Sequence, residues 1–264
     1  LPSFAPGQGG RRVKPDPSPV RGPKNAPDRA RCKDQGMGLD IYVGSLSRYL
    51  SGDWKTVAAQ AAEAEGIAFV TVGPDRESLD TAELVAVVAE WQAAIAAALG
   101  GVEPWDDNPD APYATDQPHW LGYGGLALLA AYAERPDLVS PDDTPEEYAV
   151  APAFQAMQHD PGRFPSLLGG AEWWLPFDGV RATFTAETPH GHMMAMATLA
   201  QLRAELDVLR DAVGATHVDL ATALLSGGPD REEVETAAEY RHRGGIFGLA
   251  VFAELCAQAE GMQL

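Results

Sequence analysis

Two histidines and three methionines fall within seven residues of Thr188-Pro-His-Gly-His-Met-Met-Ala-Met196, so metal binding is the first chemistry to test. His190 and His192 are two apart and share a side only where the backbone is extended, which Pro189 and Gly191 make plausible. A zinc site needs three or four ligands, and Glu187 is the one local addition; His119, His217 or Cys256 would have to arrive through the fold. Met193, Met196, Leu199, Leu202, Leu206, Leu209 and Val213 step by three or four, the apolar stripe of an amphipathic helix. That helix, expected over 192–213, makes Met193 and Met196 core residues and leaves the histidines at its solvated entrance. No metal and no cofactor are therefore expected.

A second set of residues is aromatic and acidic. Asp40, Tyr42 and Trp54 come early, the segment 100–120 supplies Trp105, Asp106, Tyr113, Asp116 and Trp120, and all six tryptophans lie within 54–174. Arg48, Tyr49, Asp53, Asp107, Asp110, Trp173, Trp174 and Asp178 stand near them in sequence. Convergence of several would make a concave aromatic surface with carboxylates, suited to a sugar, a cationic small ligand or the Arg and Lys of a basic protein. Carboxylates gathered round one pocket could instead act as acid and base in a hydrolase, with or without a divalent cation, although no spacing here demands it. The plain alternative is that the tryptophans fill the core and the aspartates serve turns and caps.

Arg241-His-Arg-Gly-Gly245 is the densest basic cluster after residue 36. Glycines opening a helix could expose N–H groups to an anion, but a helix running through, with the arginines paired to nearby Glu, is the simpler expectation. The chain has no Gly-x-Ser-x-Gly, His-Glu-x-x-His or Cys-x-x-Cys, no P-loop and no dinucleotide-binding glycine turn, so common enzyme classes are not visible.

Charge separates the chain into two parts. Residues 1–36 hold eight Lys or Arg and three Asp, a net +5, which leaves 11 basic and 35 acidic groups and a net −24 for 37–264. The acidic part repels phosphate backbones, which argues against nucleic acid and anionic membranes and toward a basic protein or cationic ligand. With seven Pro and five Gly and few large apolar residues, 1–36 is expected to be a disordered extension. Two cysteines, Cys32 and Cys256, suit free thiols and a reducing compartment. Neither a signal-peptide core nor an apolar run of roughly 20 residues is present, so a cytoplasmic location is expected.

The elements that must position these groups are partly readable. A strand is expected at 39–43 and a helix at 53–65 with Trp54, Val57, Ala58, Ala61 and Ala62 on its apolar face. A buried strand at 67–72 and a helix after the capping box Asp80-Thr-Ala-Glu83, with Leu84, Val87, Val88, Trp91, Ile95 and Leu99 inward, complete a β-α-β-α opening. A long loop over 100–118, a buried helix at 119–134 and a second capping box at Thr144-Pro-Glu-Glu147 follow. Segments 173–177 and 180–185 form a hairpin round Asp178-Gly179, and helices close the chain at 192–213, 217–226 and 231–260. The whole is a mainly helical α+β single domain over 37–264, with a small sheet of about four short strands.

The run Met37-Gly-Leu-Asp-Ile-Tyr-Val-Gly-Ser-Leu-Ser-Arg-Tyr-Leu-Ser-Gly-Asp-Trp54 resembles the opening of a group of uncharacterised bacterial proteins. Similar patterns recur at Ala111-Pro-Tyr113, at Glu172-Trp-Trp-Leu-Pro176 and in the 199–209 helix, so the resemblance covers most of 37–260. It implies Met37 as the natural start and transfers no catalytic residue, because no activity is established for the group. At the histidine segment the chain departs from the pattern. The expectation is a soluble, non-enzymatic ligand- or protein-binding domain of immunity or accessory type, with a hydrolase as the competing class.

Overall fold

The computed structural model describes residues 41–67, 81–118, 120–138, 148–177, 183–229 and 236–262, with backbone alone at 81, 120, 121 and 237. All of these lie in one unit, Gly36–Leu264. Strand β1 (Ile41–Val43) pairs antiparallel with β2 (Ala114–Asp116), Tyr42 opposite Thr115. Between them come helices α1 (Leu46–Ser51), α2 (Val57–Ala64) and α3 (Thr81–Ala98). Helices α4 (Trp120–Glu134), α5 (Pro152–Met157) and α6 (Pro165–Leu168) precede a second sheet of β3 (Trp173–Leu175), β4 (Phe184–Glu187) and β5 (Met193–Thr198). Helices α7 (Leu199–Val213), α8 (His217–Ser226) and α9 (Ala237–Gly261) complete a mainly helical α+β fold, in agreement with the sequence.

The main core forms where α4 lies along α9, and small residues set how closely they approach. A Cβ on Gly248 would stand 2.0 Å from the Gly122 carbonyl oxygen, and one on Gly125 2.7 Å from the Gly244 carbonyl carbon, so the two backbones touch. Leu126, Phe164, Leu209, Leu249 and Phe252 fill the space around this crossing. Arg241-His-Arg-Gly-Gly245 thus lies inside one continuous helix and Arg243 pairs with Glu239 at 2.6 Å, one turn back. Interior N–H groups of a helix are already bonded to carbonyls, so these glycines serve packing and offer no anion cradle.

Glu205 is a buried carboxylate that sequence reasoning passed over. From α7 it accepts the N–H groups of Ser166 (2.8 Å) and Leu167 (3.0 Å) at the start of α6, and the Gln201 amide N–H (2.7 Å). The N-cap residue of α6, Phe164, has no side-chain acceptor to give, and Glu205 replaces it. Burial raises the Glu205 pKa above the usual carboxylate value, against these hydrogen bonds, which lower it.

Several sequence expectations need correction. Residues 193–198 are strand, not the first turns of a helix, and α7 begins at Leu199 with Thr198 Oγ1 accepting the Gln201 N–H at 3.0 Å. Because β5 is central in the order β3-β5-β4, Ala195 and Met196 face opposite sides and both are at least partly covered, so an apolar run imitated a helical stripe. Met196 is fully buried, but Met193 at the strand's start is 66 % exposed. The hairpin likewise joins β4 to β5 through Thr188–His192, and β3 runs parallel to β5; Asp178-Gly179 lies outside the described residues.

The early elements depart less. In α3, Leu84, Val88 and Ile95 are buried as expected, whereas Val87 is exposed. Helix α2 starts only at Val57, capped by Thr56, and buries none of its residues, because Trp54 stays in the preceding turn and packs elsewhere. Ile67 is exposed; 68–72, Asp80 of the first expected capping box, the whole of the second and the 1–36 extension lie outside the described residues. Among the described residues no helix is long and apolar enough to cross a membrane.

Candidate functional site

The site is built outward from β1 and α1. Tyr42 on β1 donates its hydroxyl to the Ser45 carbonyl at 3.0 Å, and its ring sits 5.3 Å from Tyr49, 5.2 Å from Trp54 and 5.9 Å from Tyr113. Gly44 makes this possible: a Cβ there would stand 2.5 Å from the Tyr42 hydroxyl and 2.9 Å from Tyr113 Cβ. Trp54 stacks on Tyr49 at 5.6 Å and donates its indole N–H to the Tyr49 carbonyl at 3.2 Å. Behind Tyr113, the Arg48 guanidinium lies 5.3 Å from the ring centre and donates to the Ala111 carbonyl at 2.5 Å. Burial raises the Tyr42 pKa above its ordinary value, so its hydroxyl stays protonated through the neutral range.

Strand β3 carries the ring contacts across. Trp173 meets Tyr49 edge-on at 6.1 Å and Trp91 at 6.1 Å, and Trp91 meets Trp105 at 5.8 Å. Trp105 stacks on Phe177 at 5.8 Å, and its carbonyl accepts from the buried Gln92 amide at 3.2 Å. Adjacent residues of a strand point to opposite faces, so Trp174 joins a different group. It meets Phe252 of α9 at 5.9 Å, and Phe252 leads to Tyr123 and Tyr148. Aromatic groups thus approach from both faces of β3.

Between them lies a cavity of about 840 Å³. Tyr42, Tyr49, Trp54, Trp105, Trp173 and Trp174 line it, and Phe252, Leu255 and Cys256 of α9 add apolar wall. Among the described residues its carboxylates are Asp106, Asp107 and Glu172, and no Lys, Arg or His lines it. Asp107 is committed to structure: its carboxylate accepts the N–H groups of Leu46 (2.6 Å) and Ser47 (3.0 Å) at the start of α1. Asp106 and Glu172 are exposed. Cys256 is a free buried thiol whose pKa burial pushes up to about 12, which keeps it protonated and slow to react.

Of the residues singled out in the sequence, Tyr42, Trp54, Trp105 and Asp106 line this cavity, and Tyr113 supports it from behind Tyr42. Asp116 does not line it: the residue stands opposite Ile41 in the β1–β2 pair and its carboxylate accepts the Gln117 N–H at 2.7 Å. Asp40, the Trp120 side chain and Asp178 lie outside the described residues. Trp91, Tyr123 and Phe252 were harder to find, because their helices read simply as core; a tyrosine within the Ala- and Gly-rich α4 was the one available signal. The carboxylate cluster needed by a hydrolase is not assembled from the described pair, since Asp106 lines the cavity and Asp116 does not.

His190 and His192 sit in the β4–β5 turn and are exposed. Thr188 N–H donates to the His192 carbonyl at 2.8 Å, His192 N–H to Thr188 Oγ1 at 3.2 Å, and Gly191 takes φ +78° to close the loop. Among the described residues no three His, Cys, Asp or Glu side chains come together in a metal-holding group. Comparison of the chain with protein-family models, with curated proteins and with solved structures gave no match.

Proposed function

We propose that this domain binds a small organic cation with an apolar or aromatic body in the cavity beside β3. The observation that carries the reading is the lining itself: nine aromatic residues and three carboxylates around about 840 Å³, with no Lys, Arg or His among the described lining residues. A volume of this order suits a small-molecule site, aromatic faces attract cations, and the exposed Asp106 and Glu172 add a negative, salt-screened field. The net charge of −24 over 37–264 adds a long-range attraction of the same sign, whether the cation is free or is a side chain of a basic partner.

The test is a titration of the full chain at neutral pH and low salt, followed by tryptophan emission. The probes are phenethylamine, which is protonated there, and its neutral counterpart 2-phenylethanol. Saturable binding of the amine, at least about fivefold tighter than the alcohol and weakened by Asp106→Asn with Glu172→Gln, is the expected result. Equal binding of both probes, or no saturable binding of the amine, overturns the reading.

A further inference from the structure

The cavity is bordered by two strand edges that carry no partner strand among the described residues. Strand β3 pairs with β5 and β1 pairs with β2, each along one edge. A strand that turns one face to a cavity lines it with alternate residues, whereas one that turns its edge lines it with consecutive residues. Here Glu172, Trp173, Trp174 and Leu175 all line it, and so do Ile41, Tyr42 and Val43. On β3, Glu172 donates its N–H to the Ala195 carbonyl of β5 at 2.9 Å, so the N–H and C=O of the next residue, Trp173, point away from β5. Both faces of β1 are taken: Ile41 and Val43 pack on Phe247, Val251 and Leu255 of α9, and Tyr42 packs on Tyr49 and Trp54. With β2 along one edge, the other edge is the side of β1 left to the cavity.

Open strand edges present N–H and C=O groups with which a further strand can pair. An extended peptide added there gains affinity through its main chain and specificity through alternate side chains. The surfaces above and below such a peptide differ. On the Trp173 side stand Tyr49 and, beyond Trp91, Trp105 with Asp106 next to it; on the Trp174 side stand Phe252 and the apolar wall of α9. We propose that the cation bound here is a lysine or arginine side chain of an extended peptide that lies between β1 and β3. Its main chain pairs with the two open edges, and its side chains alternate, cationic toward Asp106 and apolar toward Phe252. Three strand residues span about 10 Å, so a segment of about three to four residues fills the gap. This inference rests on the cation-binding reading above.

The probes are acetyl-Lys-Val-Lys-Val-amide, its isomer acetyl-Lys-Lys-Val-Val-amide of equal charge, and two analogues of the first in which an ester oxygen replaces the N–H of its second or its third residue. Each is titrated into the full chain at neutral pH and low salt, with tryptophan emission as the signal, alone and in competition with phenethylamine. The alternating peptide is expected to displace phenethylamine and to bind at least about fivefold tighter than its isomer. Either ester should cost about fivefold, the effect of one net hydrogen bond. Successive N–H groups of a strand point to opposite edges, so losses from both esters mean that both β1 and β3 are paired. A loss from one ester alone overturns pairing to both edges. No loss from either, or equal binding of the two isomers, overturns the extended-peptide assignment, while saturable binding of phenethylamine leaves the cation reading intact. A peptide that binds without displacing phenethylamine overturns its placement in this cavity. Absence of saturable phenethylamine binding removes the cation reading, and this inference with it.

Discussion

Asp107 accepts the backbone N–H of Ser47 at 3.0 Å and so caps α1 from sixty residues away, in place of the N-cap Ser45. This one relationship fixes the loop that carries Trp105 and Asp106 against the helix that carries Tyr49. It also leaves the buried Ser45 hydroxyl without a capping bond. Structure and site are coupled here through a single carboxylate.

Asp107→Ala should destabilise the domain by about 1–2 kcal/mol, the range for losing a helix cap with charge-assisted bonds. Ser45→Ala alone should cost close to nothing. In the Asp107→Ala background, however, the Ser45 hydroxyl can turn to the freed N–H groups, so removing it there should cost a further ~0.5–1 kcal/mol. A urea-denaturation double-mutant cycle measures this coupling, and strictly additive costs would show that Asp107 does not displace Ser45 from its capping role.

Gly44→Ala tests the packing that sets Tyr42. Its Cβ would meet the Tyr42 hydroxyl at 2.5 Å and Tyr113 Cβ at 2.9 Å, so the ring must move, at a cost of about 1–3 kcal/mol. Near-UV circular dichroism should change with it, because Tyr42 touches three other rings. Gly52→Ala is the control: at φ +74° with open space around it, it should cost about 1 kcal/mol through the backbone and leave the aromatic signal unaltered. Matching near-UV spectra for wild type and Gly44→Ala would count against the close fit of Tyr42.

Much of this was legible in the sequence, and the failures share a physical cause. The helix at 120–134 shows as an apolar run, that at 199–213 as the later part of an apolar stripe, and the aromatic and acidic character of Tyr42, Trp54, Trp105 and Asp106 shows in composition. Periodicity failed at Met193–Thr198, where a central strand covered on both faces has no alternation to display. It also could not show that Trp91 and Phe252 reach the site, since a core helix spaces its aromatic residues in the same way whichever neighbour they meet. Nor does spacing distinguish Asp106 from Asp107, one facing the cavity mouth and the other spent on a distant helix end; only the tertiary fold separates them.

The α4–α9 crossing predicts a sharp contrast between two alanine substitutions in one helix. At Gly248 the added Cβ would be 2.0 Å from the Gly122 carbonyl oxygen, a contact with backbone that no rotamer relieves. Gly248→Ala should therefore destabilise by about 3 kcal/mol or more, the upper end for overpacking. Gly261, at the end of the same helix, meets nothing within 4 Å, and Gly261→Ala should be neutral or stabilise by up to about 1 kcal/mol through helix propensity. Thermal melts of both proteins decide it, and similar midpoints would mean that α4 and α9 do not approach backbone to backbone.

Glu205 gives a pH dependence whose sign follows from its raised pKa. In the folded protein the carboxyl holds its proton to higher pH than in the unfolded chain, so between the two values the native state binds more protons and stability falls as pH rises. Its contribution is fully present below the ordinary value of 4.5 and is lost as pH climbs through the folded value. Glu205→Gln keeps an acceptor for Ser166 and Leu167 but does not titrate, so it escapes that loss. The stability gap between wild type and Glu205→Gln, on the order of 1 kcal/mol, should accordingly be widest near pH 4 and narrow by pH 7.5. Glu205→Ala leaves the two N–H groups of α6 without their acceptor and should cost about 2–4 kcal/mol near pH 4, a gap that narrows toward pH 7.5 as the Gln gap does. Because other carboxylates titrate equally in wild type and variant, the difference in thermal midpoint isolates this group, and a gap that widens from pH 4 to 7.5 would mean that the hydrogen bonds to Glu205 outweigh its burial.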